Sequence, residues 1–446
     1  MKLPGRFVIS LAAIAVFLTG CGGGGGTSVT TSMANVIPSP VPLFPVQPGS
    51  VIKHVVIIVQ ENRSFDNLFS GFPGADTASG GTTSNGAYVP LATVPLGDGT
   101  DPSHLRMDFI NSFDGGKMDG FDKVGTFGPP KSATYAYARV PQSEVQPYWD
   151  LAKNYGIADR MFQSSTSASF TQHQYLIAGQ AGGLTDVPSA FPWGCDAPSG
   201  TTTVTINANG SLGVGPFPCF SYRTIADSLD AKGVTWGYYA PAVNGGDVSG
   251  NIWSAFDAIL PVRYGADWAR NIHSPETNVL SDITAGSLPS VSIVVPDARN
   301  SDHARFYAVN GPAWVSSIVN AIGGSKYWSD TAIFVTWDDW GGWYDHVPPI
   351  QIDAEGPGMR VALLAISPYA KRGYVSHTIY ETASLTRFVE EVFLLPSLGQ
   401  RDATANSPVD MFDFTQPVKA LARVRSTKSI RDFQMQPASG VAPDDD

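Results

Sequence analysis

The strongest constraint on the fold is a recurring short run of apolar, largely β-branched residues. Residues 51–59 form an almost unbroken run, and 291–295, 332–336 and 361–366 repeat the pattern. A strand wetted on one side alternates apolar and polar residues. A strand buried on both faces shows no alternation, which marks a parallel sheet covered by helices. Between these runs, residues 145–155, 224–231, 312–322 and 384–394 carry apolar side chains at helical spacing. The expected fold class is therefore α/β: a three-layer α/β/α sandwich around a central, mainly parallel sheet. Residues 72–111 and 181–219 are rich in Gly, Ser, Thr and Pro and are expected to be loop-rich insertions over the working edge of that sheet. No internal repeat is present.

Hydrophobic residues make up 43% of the 446-residue chain, enough for a large core, and only 15% are charged. The net charge of −11 provides no basic stripe to neutralise phosphates. Nucleic acid is excluded as a partner on that ground, and electrostatic docking to anionic lipid is disfavoured. The amino terminus has the form of an export signal. Lys2 and Arg6 precede an apolar stretch, 7–18, that is too short to span a bilayer. It ends in Leu18-Thr19-Gly20-Cys21, which looks like a bacterial lipoprotein cleavage box. This reading makes 1–20 a signal peptide and 21–50 a flexible tether lipidated at Cys21, holding an exported protein on a membrane. The folded domain is expected over 51–425 and a disordered tail over 426–446. In an oxidising compartment, Cys195 and Cys219 are expected to pair as a disulfide.

Four polar constellations carry chemistry. Glu61-Asn62 follows the first buried run directly, where ligand sites in open α/β sheets lie. Asp338-Asp339 ends another such run and leads into Trp340-Gly341-Gly342-Trp343-Tyr344-Asp345-His346. Adjacent carboxylates repel each other, and a bound divalent cation would compensate them. The two glycines let the chain turn back, bringing Asp345 and His346 to the same edge. A Ser/Thr-rich loop, 164–169, runs into a helical stretch at 170–180. A serine there meets the positive end of a helix, but Ser164, Ser165, Ser167 and Ser169 remain equal candidates on this ground. His104, His303 and His346 lie in polar segments and could contact a phosphate oxygen or protonate a leaving alkoxide.

On the motifs ENRSFD at 61–66, NSFDGGKMDGFD at 111–122, SDH at 301–303 and WDDWGGWYDHVPP at 337–349, the chain resembles the bacterial phosphoesterase family of phospholipase C and acid phosphatase. The resemblance implies an alkaline-phosphatase-like fold and metal-assisted hydrolysis of phosphoesters through a phosphoserine. It further implies that Glu61, Asn62, Asp338, Asp339 and Ser169 ligate one divalent ion (Ca, Mg, Mn, Zn or Fe), with His104 and His303 in the active site. The family spacing to Tyr175-Leu176 selects Ser169 as nucleophile, although Ser167-Ala168 and Thr171 replace the usual Gly-Pro and Pro around it. The implied substrate is a phospholipid or a small phosphomonoester. A ligand-binding lipoprotein on a retired enzyme scaffold is the alternative, which loss of a marker residue would favour; none is lost.

Overall fold

The protein is described by a computed structural model covering residues 46–207, 209–241, 254–307 and 310–441. Cys21 and the expected signal peptide lie outside these residues, as does most of the expected tether. The central sheet is built from β1 (His54–Gln60), β2 (Gly156–Phe162), β3 (Trp236–Tyr239), β4 (Ile272–His273), β5 (Val291–Val294), β6 (Thr331–Trp337), β7 (Arg360–Ile366), β8 (Tyr374–Ser376) and β9 (Tyr380–Glu381). Its order is β4-β3-β5-β1-β6-β7-β2-β8, with β9 also paired to β2. Every pairing is parallel except those of β7, which runs against both β6 and β2. The strands at the centre are buried along their length, apart from His54 at the start of β1, as their apolar runs require.

The helices fall into two packed groups that cover the sheet. One contains α2 (Gln146–Asn154), α4 (Gly311–Gly323) and α6 (Ile430–Gln434); the other contains α3 (Ser169–Ala178) and α5 (Ala383–Phe393). A short helix, α1 (Phe65–Phe69), follows β1 and is capped by Ser64, whose hydroxyl accepts from the Asn67 N–H.

Several boundaries differ from the sequence reading. Val51 ends a helical turn, Pro48–Val51, so β1 starts later and the end of the expected tether joins the fold. Part of the expected tail is also structured: Phe433 of α6 is fully buried, its ring 5.2 Å from that of Trp314. Strand β2 was not expected, because Asp159-Arg160 interrupts its apolar run. The buried Asp159 is satisfied by the backbone N–H of Asp76 and the His377 ring.

Both insertions are folded. The first carries the strand Asp101–Pro102, paired with Thr126–Phe127. The second forms a small three-stranded sheet of its own. Cys195 and Cys219, separated by 24 positions, are joined by a disulfide. The chain-entropy model puts such a loop closure at about 3 kcal/mol. Among the described residues no helix is long and apolar enough to cross a membrane.

Candidate active site

Register assembles the site. Gln60 is aligned with Trp337 at the ends of β1 and β6, so Glu61-Asn62 and Asp338-Asp339 leave the sheet side by side. The ladder continues one step further, with Asp338 N–H donating to Gln60 O and Arg63 N–H to Asp339 O. Asn62 adopts a left-handed backbone (φ 56°), which asparagine tolerates better than most residues, and its N–H donates to Asp338 Oδ1 at 3.0 Å. Such conformations collect at functional sites, held by surrounding contacts.

The turn after Asp339 requires its two glycines. Both have positive φ, and a Cβ at Gly341 would lie 2.2 Å from the Asn62 carbonyl oxygen. At Gly342 it would lie 2.7 Å from the Ser103 carbonyl oxygen. The turn is therefore pressed against Asn62 on one side and the segment bearing His104 on the other.

Among the four candidate serines, hydrogen bonding separates their roles. Ser164 Oγ accepts from the Ala383 N–H, Ser165 pairs with Thr171 and Gln172, and Ser167 accepts from the Asp186 N–H. Ser169 Oγ instead donates to Asp339 Oδ2 at 2.8 Å and stands 3.4 Å from Asn62 Oδ1. It is the first residue of α3, whose N-cap is Ala168, so neither Ser167 nor Ser169 is used up as a cap. At the helix start its oxygen lies where free N–H groups and the dipole favour negative charge.

Two imidazoles close on the same asparagine. Asn62 Nδ2 stands 2.9 Å from His104 Nε2 and 3.1 Å from His303 Nε2. His104 Nδ1 donates to the Pro102 carbonyl at 3.0 Å, leaving Nε2 as the acceptor, and that atom is 3.8 Å from Asp339 Oδ2. His303 comes from the loop after β5, and its Nδ1 lies 3.7 Å from Asp101 Oδ2. Burial, with His104 and Arg63 nearby, holds the His303 pKa well below the usual imidazole range. Burial and the adjacent Asp338 raise the Asp339 pKa above the usual carboxylate range.

A residue without a role in the sequence reading also arrives here. His173 Nε2 lies 3.5 Å from Glu61 Oε1 and 3.7 Å from Asp338 Oδ2. The available signal was its position four residues after Ser169, one helical turn along the same face. Glu61, Asn62, His104, Ser169, His173, His303, Asp338 and Asp339 are all buried.

His346 and Asp345 are placed differently from the sequence expectation. His346 Nδ1 meets Asp66 Oδ2 at 2.6 Å and Nε2 meets Asp76 Oδ1 at 2.9 Å. Asp345 Oδ1 accepts from Arg360 Nε at 2.9 Å. Both ring nitrogens of His346 thus face carboxylates outside the Ser169 group. The turn returns them to the sheet as an ion-paired brace for α1, because Arg360 at the start of β7 offers the compensating charge.

The donor set fits a divalent cation. One ligand atom each of Glu61, His173 and Asp338 lies within 4.8 Å of the others, and the buried Asp338 Oδ2 makes no hydrogen bond among the described residues. The model of the phosphoesterase family matches residues 52–396. The chain belongs to the phosphoesterase family.

As a member of that family it is a hydrolase acting on phosphoester bonds. It is 25% identical over 409 residues to non-specific phospholipase C1 of Arabidopsis thaliana, covering 80% of this chain and 70% of that protein. Phospholipase C B of Mycobacterium tuberculosis is 26% identical over 429 residues, covering 82% of this chain and 78% of its own. A solved protein of the alkaline phosphatase superfamily from Vibrio parahaemolyticus superposes with a TM-score of 0.40 at 12% identity, covering 84% of this chain and 72% of that one.

Proposed function

We propose that this phosphoesterase cleaves phosphodiesters of the phospholipid class by way of a covalent phosphoserine at Ser169, with a divalent cation held by Glu61, Asn62, Asp338 and Asp339. The observation carrying this reading is the position of Ser169 Oγ, 2.8 Å from Asp339 Oδ2 at the first turn of a helix. The phospholipase C relatives favour a phosphodiester over a monoester substrate. When bound, the cation supplies positive charge to the serine oxygen and to the phosphoryl oxygens in the transition state.

The chain's own groups do the rest. Asp339 Oδ2 accepts the Ser169 hydroxyl proton. Ser169 Oγ then bonds to phosphorus as the bond to the leaving alcohol breaks, and the departing oxygen takes a proton from water, while the proton on Asp339 is kept for the later return of the serine hydroxyl. Asn62, His104 and His303 border the space beside Ser169 Oγ, and the Asn62 amide, once turned from the imidazoles, donates to the phosphoryl oxygens. Water next cleaves the phosphoserine, which returns the hydroxyl and releases the phosphorylated headgroup. Burial of the whole set strengthens each of these contacts relative to water.

Ser169→Ala tests the reading. Turnover of phosphatidylcholine should fall by about a thousandfold or more, with folding and metal content retained. Ser167→Ala removes only the hydrogen bond to the Asp186 N–H and should cost about 1 kcal/mol of stability. Near-normal turnover by Ser169→Ala would instead implicate direct attack by water. We further infer that the mature chain begins at a lipidated Cys21, tethering the enzyme beside its substrate.

A further inference from the structure

His173 is not among the residues just assigned, and its surroundings are those of a ligand. The ring is 1% exposed, and neither ring nitrogen makes a hydrogen bond among the described residues. Leaving a buried imidazole so placed is costly unless something else occupies its lone pair. Nε2 points at two carboxylates, 3.5 Å from Glu61 Oε1 and 3.7 Å from Asp338 Oδ2. A protonated imidazole acting as their counter-ion would close to hydrogen-bonding distance, about 2.8 Å. Donor atoms around a shared ion do not touch one another. With metal–ligand bonds of about 2.1 Å, tetrahedral neighbours are about 3.4 Å apart, close to the separations found.

We propose that His173 Nε2 is a direct ligand of the active-site cation, with Glu61 and Asp338, and that this nitrogen selects a zinc- or iron-type ion over Ca²⁺ and Mg²⁺. The proposal rests on the metal-dependent reading above and sharpens it. An all-oxygen set suits Mg²⁺, Ca²⁺ and Mn²⁺, whereas an imidazole shifts preference toward Zn²⁺, Fe²⁺ and Cu²⁺. Placing nucleophile and ligand four residues apart on α3 also fixes the ion relative to Ser169 through a single rigid element.

The test uses the folded enzyme stripped with chelator and dialysed against equimolar Zn²⁺, Mn²⁺, Ca²⁺ and Mg²⁺, followed by elemental analysis. In parallel, Cu²⁺-loaded protein is examined by electron spin-echo modulation for the ¹⁴N signal of a coordinated imidazole. The wild type should retain Zn²⁺ and exclude Ca²⁺ and Mg²⁺. His173→Gln and His173→Ala should weaken Zn²⁺ binding by about a hundredfold or more, beyond the range seen for residues that only support a ligand, and should lose the ¹⁴N modulation. If both variants keep Zn²⁺ affinity within a few-fold and keep the modulation, His173 is a counter-ion and the proposal is wrong while metal dependence stands. A wild type lacking the modulation overturns it without any variant. A wild type that holds no ion at all overturns the metal-dependent reading itself.

Discussion

Replacing His346 with glutamine should weaken the fold in a pH-dependent way. The imidazole bridges Asp66 and Asp76, while Arg360 spans Asp345 and Asp66, with its terminal nitrogen 3.4 Å from Asp66 Oδ1. Arg160 pairs with the far side of Asp76. Burial alone would lower the His346 pKa; the hydrogen bond and charge of Asp66, with Asp345 behind it, outweigh this and raise it from 6.5 to about 9. A rise of that size corresponds to about 3 kcal/mol. The imidazole side chain is 25% exposed and Asp76 40%, so solvent screening reduces the expected contribution to about 1–2 kcal/mol. Because the folded-state pKa is raised, this stabilisation is fully present below pH 6.5 and disappears as pH climbs through 9. Urea unfolding of wild type and His346→Gln at a series of pH values measures it. The gap between them should be about 1–2 kcal/mol near pH 6 and should shrink steadily toward pH 10. A gap that is constant or widens with pH would refute the charged-bridge account and leave only a packing role.

Gly341→Ala should damage both stability and turnover. The left-handed backbone alone costs about 1–2 kcal/mol, and the new Cβ would displace the Asn62 carbonyl, whereas Gly399→Ala, equally left-handed but with open space around it, should show only the backbone cost in a denaturation series and normal turnover. The mature protein should begin at a diacylated or triacylated Cys21, which mass spectrometry of its amino-terminal peptide reads directly; an unmodified start elsewhere would remove the tether.

The sheet was legible because its central strands are buried on both faces, so β1, β5, β6 and β7 leave a plain apolar signature. The same rule hid β2. Asp159-Arg160 looks like a loop until His377 and the Asp76 N–H are seen to satisfy the carboxylate, and those partners lie far away in sequence. The ends of the fold were misjudged for a related reason. Pro48–Val51 packs beside α5 and Phe433 packs on Trp314, and single anchoring residues in polar surroundings leave no periodic pattern.

The site divides along the same line. Asp338-Asp339 and Glu61-Asn62 could be read from the chain because each pair follows a buried run, and adjacent carboxylates at the end of such a run repel unless a cation or a proton compensates them. Residue chemistry alone left the four neighbouring serines equal and only the family spacing pointed to Ser169; the structure separates them through the contacts of the other three with Ala383, Thr171 and Asp186. His346 and His173 exchanged their expected importance for one physical reason. An imidazole follows its nearest charge, and no local pattern tells a carboxylate balanced by an arginine from one that is not. Arg360 and Arg160 compensate all but one of the charges on Asp66, Asp76 and Asp345, so a protonated His346 completes that ion network and becomes a brace. Asp338 faces His173 at 3.7 Å, with no arginine or lysine in ion-pair contact among the described residues. The same pair of residue types, histidine and aspartate, therefore makes a structural bolt in one place and a candidate ligand set in the other, and the arginines beside Asp66, Asp76 and Asp345 distinguish the first.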